Sequence, residues 1–191
     1  MKKIFLLVVF LLLIECCSGC ARYTSNLVEQ KDDEENVTVA IVNISFPKQD
    51  NQYSIIDSKI CNNTKNNIIA YKRGMLAFDE KGNPLELYWT GMDSSAEKSF
   101  YNSYSTTNIK IEAGQETEPI GWTLFSMKAG AEENYDRIKY IIYSFEEITF
   151  DNGTVWKNKD ITSWLEKFKG KKIDIQNLST YYPYEQYIEY E

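Results

Sequence analysis

The chain has 191 residues, 43% of them hydrophobic and 14% aromatic, with a formal charge of −7 at neutral pH. That balance describes a folded body with a real core and not a disordered chain. The absence of histidine excludes Ser-His-Asp and Cys-His catalysis, His-ligated zinc and a histidine pH switch, and the acidity disfavours nucleic acid as a partner.

Met1-Lys2-Lys3 is a basic start, followed by eleven consecutive apolar residues from Ile4 to Ile14 and then by Glu15-Cys16-Cys17-Ser18-Gly19-Cys20. A positive flank, a short apolar run and small residues make an export signal. At about 1.5 Å per residue the run reaches roughly 16 Å, half of a bilayer core, too short for an ordinary spanning helix. Ser18-Gly19-Cys20 resembles the bacterial lipobox, where a cysteine thiolate takes a diacylglycerol thioether and the chain is cut just before it. Cys20 is the favoured acceptor, because Cys16 follows Glu15 and Cys17 follows the larger Cys16. Cys17 stands where the lipobox usually has leucine, and Glu15 puts a charge near the end of the apolar run. The alternative is an ordinary secretory signal cut near Gly19 or Ala21, releasing a soluble protein.

Removal of residues 1–19 leaves 172 residues and a charge of −8, since Lys2, Lys3 and Glu15 go with the signal. A body of that charge is repelled by anionic phospholipid, so the membrane is met through the N-terminal lipid, and acyl chains contribute about 0.8 kcal/mol per buried CH₂. Residues 20–36 form the lipidated cysteine and an acidic tether ending in Lys31-Asp32-Asp33-Glu34-Glu35-Asn36. About sixteen extended residues reach ~55 Å. The acidic run reads as solvated chain, with calcium binding as the sharper alternative.

From Val37 the pattern turns to strands: Val37 to Phe46, stopped by Pro47; Tyr53 to Asn62; and Ile68 to Phe78. Residues 79–83 read as a hairpin loop, since Gly82 and Asn83 tolerate positive φ, and Pro84 to Trp89 returns. A polar stretch runs from Thr90 to Asn108, with Ile109 to Glu112 as the next strand and a turn at residues 113–115. Gly121 to Phe125 is a short strand and Arg137 to Phe150 a long one. Asp151-Asn152-Gly153 is the clearest turn, with Thr154 to Trp156 returning. Helical spacing appears only after this: Asp160 is placed to cap a helix carrying Ile161, Trp164, Leu165 and Phe168 on one face, ended by Gly170. The expectation is an all-β, immunoglobulin-like sandwich of about seven or more strands with one ancillary C-terminal α-helix, spanning residues 37–173. A Tyr-rich acidic tail covers residues 174–191.

Asn62-Asn63-Thr64, the run from Met75 to Leu85 with Phe78, Asp79, Gly82 and Pro84, Gly121-Trp122 and Leu124, residues 150–158, and Trp164-Leu165 carry a resemblance. Together they resemble an uncharacterised Ig-like domain family of exported lipoproteins and membrane-anchored proteins in low-GC Gram-positive bacteria, over roughly Val37 to Ile173. The resemblance implies fold and location and brings no activity or catalytic residue.

Among candidate sites, residues 90–108 join several serines to Phe100, Tyr101 and Tyr104, the residue types that antibody loops use as rigid anchors among small hydrogen-bonders. The competing and favoured reading makes Phe100 to Tyr104 an edge strand whose alternate residues face the core. In the tail, Tyr181, Tyr184, Tyr187 and Tyr190 recur every three residues, an aromatic stripe if helical, and Pro183 permits a helix only from about there onward. Tyr184 and Tyr187 are candidate contacts to a protein or envelope glycan; packing on the domain is the plainer alternative. Trp89, Trp122, Trp156 and Trp164 read as core or rim, and Cys61 as a buried hydrophobe that has no mature partner once Cys20 is lipidated. No catalytic residue, metal ligand or cofactor site is assigned. The expected role is a non-enzymatic binding domain on the outer face of the cell membrane, its partner an unidentified protein or envelope material. The alternative is a carboxylate-dependent enzyme acting on envelope glycans.

Overall fold

The computed structural model describes residues 39–46, 54–90, 97–125 and 135–180. The lipobox, the tether and tyrosines 181 to 190 lie outside the described residues. Eight strands follow in order: β1 (Val39–Ser45), β2 (Ser54–Asn62), β3 (Ile68–Phe78), β4 (Pro84–Leu85), β5 (Asn102–Ile111), β6 (Ile120–Leu124), β7 (Tyr140–Phe150) and β8 (Val155–Lys157). Helix α1 (Ile161–Phe168) and a 3₁₀ segment (Ile175–Thr180) close the described chain.

All pairings are antiparallel, in two sheets. The first has the order β1-β2-β6; the second runs β8-β7-β3, with β5 and β4 sharing the far edge of β3. Neighbours β1-β2-β6 and β3-β7-β8 are the A-B-E and C-F-G orders of an immunoglobulin-type sandwich. The fold is therefore an all-β sandwich with a C-terminal helix, as the strand spacing predicts.

Period-2 alternation decides which residues meet between the sheets. Ile56, Ser58 and Ile60 of β2 face inward with Tyr71, Arg73 and Met75 of β3 and with Ile141, Tyr143 and Phe145 of β7, and all nine are buried. The opposite face of the second sheet is covered too. Gly74, Leu76 and Phe78 point outward there, beneath α1 and the chain after it, where Trp164, Phe168 and Ile173 are buried. A Cβ on Gly74 would run into the Tyr101 ring, so this close approach requires glycine. Ile175 and Leu178 pack half-buried on the same core, which extends the body past residue 173.

Three expectations need correction. Regular pairing of the polar stretch begins at Asn102, seven residues before Ile109, because Tyr104 and Thr106 lie opposite Arg73 and Tyr71 while Ser103 and Ser105 face outward. Pro84 to Trp89 pairs regularly only at Pro84 and Leu85; past them, Leu87 forms a single bridge to Ser99. At the helix, Asp160 makes no side-chain cap. Its amide instead donates to Asn158 Oδ1 at 2.9 Å, and its carbonyl accepts from the Trp164 amide at 2.9 Å. Gly170, at φ +69°, ends the helix as expected.

The β3–β4 hairpin is held by one carboxylate. Asp79 Oδ1 accepts from the amides of Lys81 and Asn83, both at 2.9 Å, and Oδ2 from Asn83 Nδ2 at 3.0 Å, with Arg137 Nη2 3.7 Å away. Burial pushes this carboxyl up, but the bonds from Asn83 and Lys81 and the Arg137 charge outweigh it, leaving it below its ordinary 3.8. A depressed folded-state pKa gives stability that is present above the unfolded value and lost as pH falls through the folded one. Asp79→Ala is therefore expected to cost about 1–2 kcal/mol at pH 7. Urea unfolding should show that difference in full above about pH 5 and shrinking below about pH 4. An unchanged difference at pH 3 would rule out the charged form as its source.

Candidate functional site

Arg73 is 0% exposed in the middle of β3, surrounded by aromatic rings. Its guanidinium carbon lies 4.7, 4.9 and 5.5 Å from the ring centroids of Tyr143, Tyr104 and Tyr71. Nη1 donates to Ser58 Oγ of β2 at 2.6 Å, and Nε donates to the Tyr104 hydroxyl of β5. Ser58 Oγ in turn donates to the Ile120 carbonyl of β6 at 3.4 Å. One side chain therefore ties the second sheet to the first through hydroxyl groups. Burial works against the guanidinium charge, the surrounding tyrosine oxygens offset it, and arginine stays protonated in proteins. Burial raises the hydroxyl pKa of both Tyr104 and Tyr143 above the ordinary 10.0, against the pull of Arg73.

The cage is closed on one side by an aromatic pair. Tyr104 and Trp122 lie at the β5 and β6 edges of the two sheets, with ring centroids 4.2 Å apart. Trp122 Nε1 donates to the Trp89 carbonyl at 3.1 Å, and Trp89 Nε1 donates to the Ser99 carbonyl at 2.8 Å. Tyr104 and Trp122 remain half-buried.

A second polar cluster occupies the outer face of the same sheet. In the β3–β7 register Lys72 and Arg73 oppose Glu147 and Phe145, which leaves Glu146 as the extra residue of a β-bulge. Glu146 Oε2 pairs with Lys72 Nζ at 2.9 Å, and Oε1 accepts from the Tyr101 hydroxyl at 2.6 Å and from Ser103 Oγ. Burial raises the Glu146 pKa, but Lys72, Ser103 and Tyr101 together bring it below its ordinary 4.5. The Tyr101 hydroxyl is raised, by burial and then by that same carboxylate. Asp57, raised by burial, projects from the opposite side of β2 to Ser58, against Gly121. Among the described residues no group of His, Cys, Asp or Glu side chains has the grouping to hold a metal ion.

The structure places Phe100, Tyr101 and Tyr104 half-buried. Phe100 lies against Gly170 beyond α1, Tyr101 over Gly74, and Tyr104 on Arg73. Cys20, Tyr184 and Tyr187 lie outside the described residues. Trp89 and Trp164 are buried, Trp122 and Trp156 are half-buried, and Cys61 is buried with its thiol donating to Asn63 Oδ1 at 3.2 Å. The sequence reading passes over Arg73. The signal is in the alternation, which puts a cation on the same face as Tyr71, Met75 and Ala77, while the neighbouring Lys72 falls on the other face.

The model of a family of unknown function, DUF5780, matches residues 55–171. That span opens in β2 and closes just past α1. An X-ray structure of a hypothetical protein from Peptoclostridium difficile 630 is similar, with a TM-score of 0.61 at 20% identity, over 79% of this chain and 100% of that one. At that identity the likeness is one of fold. No curated protein matches.

Proposed function

This chain belongs to the DUF5780 family, whose function is unknown, and from its own residues we propose a lipid-anchored cell-envelope protein that displays its sandwich as a non-enzymatic binding body. The observation that carries the proposal is the order of residues 2–20: Lys2-Lys3, the apolar run, then Ser18-Gly19-Cys20. Lipid on Cys20 holds the chain to the outer face of the membrane, and the acidic tether extends the sandwich from it. The exposed Ser103, Ser105 and Thr107 of edge strand β5 offer hydrogen-bonding groups to a partner protein or envelope polymer.

Among the described residues, the one carboxyl with a raised pKa supports binding over glycan hydrolysis by its placement. A hydrolase needs a raised acid and a second carboxylate within about 5–9.5 Å. Asp57 is raised and Glu146 is lowered, but they emerge from opposite outer faces of two sheets packed about 10 Å apart.

In a Gram-positive host the chain is expected in the membrane fraction with a diacylglycerol thioether on Cys20, and Cys20→Ser is expected in the soluble fraction. Mass spectrometry of the mature N-terminus reads this directly; an unmodified Ala21 start would end the anchor reading. Cross-linking the same membranes tests the other half, since adducts confined to the chain itself would remove the binding role.

A further inference from the structure

We propose that the cage between the sheets is a binding site for one small inorganic anion of chloride size, held by Arg73, Tyr71 and Tyr143. Four buried side-chain polar atoms have no well-formed hydrogen bond among the described residues, and three belong to this cage: Arg73 Nη2, Tyr71 Oη and Tyr143 Oη, the last of which lies near enough to the Ser58 hydroxyl to feel it. Nη2 is a donor only, and each phenol can turn its O–H to donate. The rings that carry both phenols pack against the guanidinium, so unused donor capacity is concentrated around one cation. Among the described residues no carboxylate lies within ion-pair distance of Arg73.

Charge selects an anion over a water molecule. A water would satisfy Nη2 and bridge to the phenols, yet leave the guanidinium uncompensated in a low-dielectric interior. An anion accepts from all three groups and supplies the missing charge at once. Neutral tyrosine faces and hydroxyls stabilise a cation only in part. Asp57 of β2 lies against Gly121 on the opposite side of its strand from Ser58; its charge reaches Tyr143, but it makes no ion pair with Arg73. The Tyr104 and Ser58 bonds made by Nε and Nη1 leave Nη2 as the guanidinium nitrogen open to a ligand, and burial of Arg73, Tyr71 and Tyr143 among aromatic rings favours a monatomic ion over a larger one.

The test uses the full chain in detergent, in sodium chloride, bromide or gluconate at equal ionic strength. Thermal unfolding should rise saturably with chloride or bromide and not with gluconate, and crystals grown in bromide should show an anomalous peak within hydrogen-bond distance of Nη2. Tyr71→Phe and Tyr143→Phe each remove one donor, and each is expected to raise the half-saturating halide concentration about five- to tenfold. Both keep the ring, so they test the site even if Arg73→Met fails to fold. Equal midpoints in all three salts, or density beside Nη2 belonging to water or to a carboxylate of this chain, would overturn the proposal.

Discussion

Trp164→Ala is expected to lower the unfolding free energy by about 3–5 kcal/mol, a large share of the ~5–15 kcal/mol typical of a domain. Trp164 is 8% exposed, with its ring centroid 6.5 Å from that of Tyr101 and 5.9 Å from that of Phe168, both edge-on. Helix α1 has eight residues, too few to persist without tertiary support. Removing the indole leaves Phe168 as its other buried residue and opens the outer face of the second sheet above Leu76 and Phe78. Tyr101 then loses its neighbour on the side away from Glu146, and the burial that raises its hydroxyl pKa is relieved. Urea unfolding should show a lower midpoint, and ultraviolet titration should show one tyrosine ionising at lower pH than in the native chain, while the Glu146 carboxylate still holds it above the ordinary value. Trp164→Phe should retain most of the stability. A loss below about 1 kcal/mol would mean that α1 contributes little to covering the sheet.

The sequence pattern shows this fold where the physics is local. Gly82, Gly153 and Gly170 have φ of +76°, +85° and +69°, as turns and a helix stop demand, and each terminates an element where its neighbours predict. The long apolar runs of β3 and β7 pair along their length. What was not legible depends on partners distant in the chain. The serine- and tyrosine-rich residues 100–107 also have the composition of a binding loop; the edge-strand reading of Phe100 to Tyr104 is the better one, but that the strand starts at Asn102 and runs on to Ile111 depends on pairing with β3. Asp160 has the composition of an N-cap, but Asn158 uses the Asp160 amide and fixes the helix entry instead. No local signal marks Glu146 as a bulge, because the extra residue is defined by the register of β7 against β3. The Arg73 cage draws on β2, β3, β5 and β7, and of its parts only the inward position of Arg73 could be read from period 2.

Arg73 supplies the second large effect, and two substitutions separate its causes. Arg73→Ala is expected to cost about 3–5 kcal/mol, since it leaves a cavity among three tyrosines and strips Tyr104 of its donor. Arg73→Met keeps most of the stem volume and also removes the buried charge, whose desolvation offsets much of what its bonds contribute. The Met variant is therefore expected within about 1–2 kcal/mol of the native chain, despite losing the bonds to Ser58 and Tyr104. Chemical unfolding of the pair in gluconate, free of halide, measures both. If Met falls as far as Ala, the guanidinium bonds themselves hold the sheets together; if Met stands well above Ala, packing of the stem does. Antibody domains join the corresponding strands with a disulfide and a tryptophan. Here Ser58 of β2, Arg73 of β3 and Tyr143 of β7 occupy those strands, while Cys61 is a buried thiol outside any disulfide that donates to Asn63 Oδ1. A covalent tie acts largely by restricting the unfolded chain. A polar tie must be stable in the folded core itself, so its strength should vary with whatever balances the Arg73 charge.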